Sequence, residues 1–256
     1  MPRNMNSNLI MQNFDRASHS YDSASAIQKE CCHYMVKLIK KELPRFHPTS
    51  ILDVGTGTGY LTKLLTSEFP ESSYTINDIS QSMIDKATLE INKEISTMQG
   101  DMDELNFPQF DMIVSSMALH WSSDPKRLIE KLYSFSQVLI FSILIQPSLQ
   151  EWNEMFLKLE LSSPGLNYLS CEDITSSILA LEHTHFVFDR YDFHLQFDTP
   201  RTFMKYMRNL GSQYSPVGYN PHHVKKILKN FPAGFSSKYS VFFGLVSKIP
   251  LQQLGM

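Results

Sequence analysis

The sequence predicts an α/β fold in which a doubly wound, mostly parallel sheet carries a helical cap. Three observations predict it. The apolar run Ile51–Val54 ends in a glycine-rich turn that leads into a helix. Strand-like and helix-like segments then alternate as far as residue 146, which indicates successive βαβ units. Beyond residue 149 helical segments dominate, until the apolar run Lys238–Val246 predicts a buried strand that returns to the sheet.

The first half of the chain supplies the alternating elements. A helix is predicted from Ala24 to Leu43, because Pro44 stops it. Each apolar run of strand length is then followed by a segment of helical pattern. The predicted strands are Ile51–Val54, Tyr74–Asp78, Ile95–Gln99, Phe110–Ser115 and Gln137–Ile143. The predicted helices between them are Tyr60–Phe69, Gln81–Asn92 and Pro125–Phe135.

The second half predicts a cap. Helical segments lie near Leu149–Leu161, Ser170–Ala180, Thr202–Leu210 and Pro221–Asn230, with an extended piece at Phe186–Phe197. Because the closing strand must return to the sheet, these helices are interpreted as a cap and not as a separate domain. The chain is therefore predicted to be one domain, 1–256, with an N-terminal helical lid (1–45), a cofactor-binding core (46–146), a cap insertion (147–235) and a closing strand (236–248).

The composition excludes several function classes. Hydrophobic residues make up 42% and charged residues 19%, as in ordinary globular proteins. The formal net charge of −3 gives no overall attraction to nucleic acid or to an anionic membrane. The polar start of the chain lacks the apolar core of a signal peptide, and the longest apolar run, 138–145, is too short to span a bilayer. We therefore expect a cytoplasmic protein with neither nucleic acid nor a membrane as partner.

The cysteines and histidines do not predict a metal site. Cys31, Cys32 and Cys171 have no metal-binding spacing, and we expect reduced thiols. His183 and His185 would share one face of a strand, but no cysteine or acidic cluster accompanies them.

The turn after the first strand predicts a site for a nucleotide-like cofactor. Its pattern is D-x-G-x-G-x-G over residues 53–59, and glycines let the backbone take positive φ and approach a ligand closely. The dinucleotide fingerprint needs a small residue where Tyr60 stands, and the phosphate loop of NTPases needs a lysine that is absent here. The alternative is a turn with no ligand, although so many glycines carry an entropic cost that a plain turn does not require.

This pattern resembles the first motif of class I S-adenosylmethionine (SAM) methyltransferases. The resemblance implies that the loop residues Gly55, Thr56, Gly57 and Gly59 pack on the methionine part of the cofactor, with Asp53 near its ammonium group. It also implies a seven-stranded, Rossmann-like methyltransferase sheet whose last strand is antiparallel.

Acids at the ends of the next two strands predict the nucleoside side of the site. Asp78 lies about 20 to 25 residues beyond the glycine loop, the spacing expected for a carboxylate that accepts from ribose hydroxyls. Asp101 could accept from the adenine amino group. The alternatives are that Asp78 is only a helix N-cap, a role that Ser80 can also fill, and that Asp101 is only a turn residue. Further cofactor contacts are predicted at Ile79, Met83 and Met102.

Ligands in an open α/β sheet bind at the carboxyl ends of the strands, where the strand order reverses. This rule places the reacting methyl group near Ser115, Ser116, Met117 and His120. His120 and Trp121 could instead be core residues beneath the cap.

Segments at both ends of the chain resemble one methyltransferase family. They are Phe14-Asp15-Arg16-Ala17 with Tyr21, Met117-Ala118-Leu119-His120-Trp121, the segment Ser142–Leu149, Phe197-Asp198 with the cap residues Met204, Lys205, Arg208 and Gly211, and the closing strand. The family is the malonyl-[acyl-carrier-protein] O-methyltransferases of biotin synthesis, in which His120 is more often Gln. The resemblance implies methyl transfer from SAM to the free carboxylate of malonyl carried on acyl-carrier protein.

This chemistry requires alignment more than acid–base catalysis, because the malonyl carboxylate is already ionised near neutral pH. We expect a cation to orient the carboxylate, and Lys205 and Arg208, three residues apart on one helix face, are the candidates. Tyr21 is expected to help the N-terminal helix close over the cofactor. The alternative for Lys205 and Arg208 is a solvated basic face.

An acidic carrier protein requires a local basic patch. The densest one in the second half of the chain comprises Lys205, Arg208, Lys225, Lys226 and Lys229. We expect a monomer. Two other functions stay open: a SAM methyltransferase that acts on another small carboxylate or metabolite, and a methyltransferase-like binding or assembly protein without turnover.

Overall fold

The computed structural model describes residues 5–216, 218 and 220–250. Its centre is a seven-stranded sheet with the strand order β3-β2-β1-β4-β5-β7-β6. The strands are β1 (Ser50–Val54), β2 (Ser73–Asp78), β3 (Ser96–Gln99), β4 (Phe110–Ser116), β5 (Ser136–Ile145), β6 (His185–Phe197) and β7 (Phe235–Ser247). The first five pair in parallel, and β7 is antiparallel to both β5 and β6. The predicted fold class, with its antiparallel last strand, is therefore confirmed.

The helices surround this sheet. They are α1 (Ser7–Ala17), α2 (Tyr21–Ala24), α3 (Ala26–Glu42), α4 (Tyr60–Glu68), α5 (Gln81–Glu90), α6 (Pro125–Ser134), α7 (Gln150–Leu157), α8 (Cys171–Leu179), α9 (Pro200–Asn209) and α10 (Pro221–Asn230). A single 3-10 turn, Leu119–Trp121, follows β4. None of the helices in the described ranges has both the length and the apolar character needed to cross a membrane.

Alternate residues of the central strands pack on opposite faces of the sheet. Val138 and Ile140 of β5 lie in a cluster with α3, α4 and the cap helices α7, α9 and α10, whereas Leu139 and Phe141 pack with α6 and α8. Both faces are therefore buried, which explains why these strands are nearly continuous apolar runs in the sequence.

The N-terminal segment, predicted as a helical lid with one assigned helix, contains further helices. The predicted helix Ala24–Leu43 is present as α3, but the polar segment before it also forms helices, α1 and α2. Asn6 caps α1 by accepting from the N–H of Leu9, and Ile10 and Ala17 are buried. A polar helix with only a narrow apolar stripe gives a weak pattern in the sequence, and its contacts with distant residues stabilise it.

Candidate active site

The glycine loop joins the end of β1 to α4 and depends on backbone conformations that favour glycine. Gly55 and Gly57 have φ of +67° and +56°. The N–H of Thr56 donates to the carbonyl of Asn77 over 2.9 Å, and the N–H of Gly57 donates to Asp78 Oδ2 over 2.9 Å. These two hydrogen bonds tie the glycine loop to the end of β2, at the carboxyl edge of the sheet.

Asp78 is buried at the end of β2, and its carboxylate accepts from backbone N–H groups. Its second oxygen, Oδ1, accepts from the N–H of Ser80 over 2.9 Å. Burial raises the pKa of Asp78 to about 6, although these N–H groups oppose the rise. Since each carboxylate oxygen can accept more than one hydrogen bond, Asp78 can still receive two hydroxyl groups of a ligand.

The first pocket, here called the Asp78 pocket, lies at the point where the strand order reverses between β1 and β4. It brings together residues that the sequence predicted for the methionine side and for the nucleoside side of the cofactor. These are Gly55, Gly57, Asp78, Ile79, Asp101 and Met102. The pocket also includes residues that the prediction did not name as cofactor contacts: Ser7, Ile10, Phe14, Asn77, Gly100, Ser116, Ala118 and Trp121.

A second pocket, here called the Asp53 pocket, lies on the other side of the glycine loop. Asp53, Thr56 and Thr58 line it together with Gln28 and Lys29 of α3. Asp53 Oδ2 accepts from the hydroxyls of Thr56 and Thr62 over 2.9 and 2.7 Å. Burial raises the pKa of Asp53 to about 6, and the two hydroxyls limit that rise. This buried carboxylate suits a cationic group of a ligand.

Three predicted cofactor residues do not line either pocket and have structural roles instead. The Ser115 hydroxyl donates to the carbonyl of Val54 over 2.8 Å and so ties β4 to β1. Met83 is buried in the first turn of α5, and its N–H is capped by the Ser80 hydroxyl. A Cβ on Gly59 would lie 2.8 Å from that of Ala87, so this glycine permits close packing of α4 on α5.

The third space, here called the aromatic cavity, lies between the N-terminal helices and the cap. Its walls carry Phe14, Tyr21, Gln28, Met117, His120, Trp121, Leu144, Leu149, Trp152, Asn153, Gly165, Leu166, Tyr168, Phe203, Met207, Leu210, Ser212, Tyr214 and Tyr239. Met117 also lines the Asp78 pocket and has a φ of +54°, a strained value for a residue with a side chain. The aromatic cavity and the Asp78 pocket therefore share wall residues.

Tyr21 lies where the three spaces meet, since it lines the Asp78 pocket, the Asp53 pocket and the aromatic cavity. A Cβ built on Gly57 would lie 3.9 Å from its ring. Burial raises the pKa of the Tyr21 phenol well above its ordinary value, so the hydroxyl keeps its proton and can donate it in a hydrogen bond. The prediction that Tyr21 contributes to the site is consistent with this position.

His120 is buried in the wall of the aromatic cavity, with its ring 5.2 Å from that of Trp121 and 6.0 Å from that of Tyr168.

Lys205 and Arg208 lie outside the aromatic cavity. Both are exposed on α9, neither lines the cavity, and Arg208 Nε donates to Gln213 Oε1 over 3.2 Å. Neither of these two cations therefore lines any of the three spaces.

The sequence predicted an N-terminal helical lid, and polar contacts that it did not predict join these helices to the Asp78 pocket. The Ser7 hydroxyl donates to Asp101 Oδ2 over 2.5 Å, and the Ser80 hydroxyl donates to Asp15 Oδ1 over 2.6 Å. Asp22 accepts from the Thr58 hydroxyl over 2.7 Å and forms an ion pair with Lys86. These helices are therefore a wall of the site. In the sequence, the signal for this wall was the segment Phe14–Ala17, which carried part of the family resemblance.

No group of three or more His, Cys, Asp or Glu side chains is placed to hold a metal ion in the described part of the chain. His183 Nδ1 contacts the carbonyl of Leu181 at 2.8 Å, and His185 Nε2 lies 3.3 Å from Glu42 Oε2.

The donor and acceptor groups fit SAM. Asp78 and Asp101 offer acceptors for ribose hydroxyls and an amino group, and Asp53 offers a buried carboxylate to an ammonium. Gln28 Oε1 is buried at the edge of the Asp53 pocket with no hydrogen-bond partner in the described chain, so a ligand donor would complete it.

The chain is similar to known methyltransferases. A family model described as a methyltransferase domain matches residues 51–137. The chain is 50% identical over 244 residues to the malonyl-[acyl-carrier protein] O-methyltransferase of Neorickettsia risticii, which covers 95% of this chain and 98% of that protein. It is 30% identical over 183 residues to the protein of the same name from Priestia megaterium, covering 67% of this chain and 66% of that one.

Solved structures show the same fold. Magnesium protoporphyrin IX methyltransferase from Synechocystis PCC 6803, determined with bound SAH (S-adenosylhomocysteine), aligns with a TM-score of 0.60 at 13% identity, over 94% of this chain and 100% of that chain. A SAM-dependent methyltransferase from Thermotoga maritima aligns with a TM-score of 0.55 at 14% identity, over 94% and 100% of the two chains.

Proposed function

The chain belongs to the malonyl-[acyl-carrier protein] O-methyltransferases, a family of SAM-dependent methyltransferases, and from this membership we infer that it methylates the free carboxylate of malonyl-acyl-carrier protein. The cofactor supplies an activated methyl group: one carboxylate oxygen bonds to the methyl carbon as the carbon–sulfur bond breaks, which leaves the methyl ester and SAH. No proton is transferred in this step. The ester is the form of malonyl that primes pimelate and biotin synthesis.

In this proposal, residues of the chain bind the cofactor and orient it. Asp78 accepts from the ribose hydroxyls, Asp101 from the adenine amino group, and Ile79 and Met102 flank the ring. Gly55 and Gly57 leave room for the ligand against bare backbone, and Asp53 faces the ammonium group. Lys29, which the sequence did not single out, lines the Asp53 pocket and supplies a cation for the carboxylate of the methionine part.

The observation that carries the proposal is the position of Tyr21 at the meeting point of the three spaces. A methyl group held at the loop side of Tyr21 would face an acceptor that enters from the aromatic cavity. Alignment of this kind can supply up to about 7 to 11 kcal/mol of the barrier. The largely apolar and aromatic walls of the cavity exclude water from the acceptor, and the Tyr21 hydroxyl donates to the bound groups.

The carrier protein approaches from the cap in this proposal. A basic surface, here called the docking surface, comprises Lys205, Arg208, Lys225, Lys226 and Lys229 on α9 and α10, all of them exposed. Neither helix contains an acidic residue. An acidic carrier would be attracted there, and the attraction would act mainly on the rate of encounter. We further propose a monomer in the cytoplasm.

A methylation assay tests the function. The protein is incubated with SAM and, separately, malonyl-acyl-carrier protein, malonyl-CoA and free malonate, and the methyl ester is measured by mass spectrometry. We expect the highest kcat/KM with malonyl-acyl-carrier protein. Turnover confined to free malonate or another small carboxylate would replace the proposed acceptor, and SAM binding without turnover on any acceptor would favour a binding protein.

A further inference from the structure

The aromatic cavity carries no full charge in its wall. None of the described residues that line it is Lys, Arg, Asp or Glu. Its polar groups are neutral hydroxyls, amides, the indoles of Trp121 and Trp152 and the imidazole of His120. An acceptor carboxylate in this cavity would therefore be oriented by neutral hydrogen-bond donors.

Neutral hydrogen-bond donors suit methyl transfer to a carboxylate, because the opposite charges of the two reactants neutralise each other in this reaction. The acceptor carboxylate is anionic and the methyl donor is a sulfonium cation, so the transition state carries less separated charge than the bound reactants. A cation fixed to the carboxylate would stabilise the reactants more than the transition state and would slow the transfer. A neutral amide or hydroxyl orients the oxygen with less of this penalty.

Gln28 lies between the pocket assigned to the methionine end of the cofactor and the cavity assigned to the acceptor. It is near the start of α3 and lines both the aromatic cavity and the Asp53 pocket. Its Oε1 is buried and has no hydrogen-bond partner within the described residues. A buried amide oxygen without a partner is unfavourable unless a ligand completes it.

The Gln28 side chain also carries both a hydrogen-bond acceptor and hydrogen-bond donors. An amide carries an acceptor on one atom and two donors on the other, so one side chain can serve a cation and an anion at once. Tyr21 is the other described residue that lines both spaces and ends in a polar group. Its hydroxyl also donates and accepts, but it does both through one oxygen atom, whereas the Gln28 amide has its acceptor and its donors on separate atoms.

We propose that the Gln28 amide bridges cofactor and substrate: its oxygen accepts from the ammonium group of SAM, and its NH2 group donates to the acceptor carboxylate. This proposal rests on the proposed function. It makes Gln28 a binding residue for both reactants, which couples the position of the acceptor oxygen to that of the methionine end.

Two substitutions separate the two halves of the bridge. Gln28→Glu keeps the shape and still accepts from an ammonium, but it cannot donate and it repels a carboxylate. We expect SAH affinity, measured by isothermal titration, to stay within about threefold of the wild type or to rise. We expect kcat/KM for a short malonyl thioester that lacks the carrier to fall at least a hundredfold. Gln28→Leu removes both groups, and we expect SAH affinity to fall at least fivefold and activity to fall as well.

Gln109→Glu is the matched control, because this exposed glutamine precedes β4 at the opposite edge of the sheet and receives the same change of charge. Circular dichroism and thermal unfolding check that each variant is folded. Normal kcat/KM for Gln28→Glu would overturn the substrate half of the bridge, and unchanged SAH affinity for Gln28→Leu would overturn the cofactor half. Absence of wild-type turnover would instead overturn the proposed function, while the titrations would still decide the cofactor half.

Discussion

The backbone N–H of Gly57 donates to Asp78 Oδ2 over 2.9 Å and so links the glycine loop to the acid at the end of β2. The same carboxylate holds the N–H of Ser80 at the start of α5 through its other oxygen. One buried side chain therefore positions two backbone segments and still has acceptor capacity for a ligand. The proposed cofactor site is preorganised around Asp78.

Replacing Gly57 should affect the ligand more than the fold. Gly57→Ala places a Cβ between the loop and the Tyr21 ring, 3.9 Å from its nearest atom, within the space assigned to the cofactor. We expect SAH affinity to fall at least about tenfold by isothermal titration, which corresponds to about 1.4 kcal/mol. Gly218→Ala is the control, since Gly218 also has a positive φ, +75°, but no atom within 4 Å of its Cβ position. Equal affinities in the two variants would contradict the assignment of the loop.

Asp78→Ala should weaken SAM binding by about 1.5 to 3 kcal/mol, the range for hydrogen bonds to a charged group. The loss includes the ribose contacts and the anchoring of the glycine loop. Titration with SAH measures it. Asp111→Ala is the control, because Asp111 also accepts from backbone N–H groups, those of Thr49 and Ser50, but at the amino end of β4. A change within experimental error for Asp78→Ala would mean that the ribose binds elsewhere.

The affinity for SAH should depend on pH near 6. Burial raises the pKa of both Asp53 and Asp78 to about 6, so both are increasingly protonated below that pH in the free protein. Asp53 must be ionised to face an ammonium group. Affinity should therefore be nearly constant above pH 7 and fall about tenfold between pH 7 and pH 5 for each carboxylate that must ionise. Titrations across this range check the direction. Affinity that rises towards pH 5 would show that neither carboxylate meets the cation.

Charge reversal on α10 should affect the carrier protein alone. Lys225→Glu with Lys226→Glu should raise KM for malonyl-acyl-carrier protein severalfold, more at low salt, because surface charges are screened beyond about 8 to 10 Å at physiological salt. We expect kcat to change little. Steady-state kinetics at two salt concentrations measure the effect.

Lys37→Glu with Arg45→Glu is the control for this experiment. Both residues are exposed, they receive the same change of net charge, and they lie towards the end of α3 and beyond it, at the edge of the sheet opposite the site. If both double variants raise KM equally, the effect comes from net charge and the docking surface lies elsewhere.

Arg208 distinguishes a cation at the carboxylate from a cation at the surface. Because Arg208 is exposed and outside the aromatic cavity, we expect Arg208→Ala to raise KM for malonyl-acyl-carrier protein about two- to fivefold, as for a rim charge. We expect kcat/KM for the short malonyl thioester to stay within about twofold. A tenfold loss on the short thioester would instead support the prediction, made from the sequence, that Arg208 orients the carboxylate.

Much of the proposed cofactor site could be predicted from the sequence because it is local. A strand, a glycine turn and a helix follow one another within residues 51–68, and acids end the neighbouring strands. In a parallel sheet these strand ends must meet at one edge, so Asp53, Asp78 and Asp101 could be assigned together without knowledge of any distant contact. The antiparallel last strand followed from the family resemblance.

The tertiary structure decided which side chains line the three spaces. Spacing placed Lys205 and Arg208 on one helix face, but only the packing of α9 through Phe203 and Met207 turns that face outwards. Gln28 carries no signal in the sequence, and its place between two pockets results from α3 packing against the sheet beside the glycine loop. The physical reason is that periodicity determines which residues share a face, whereas contacts between segments far apart in the chain determine what that face meets.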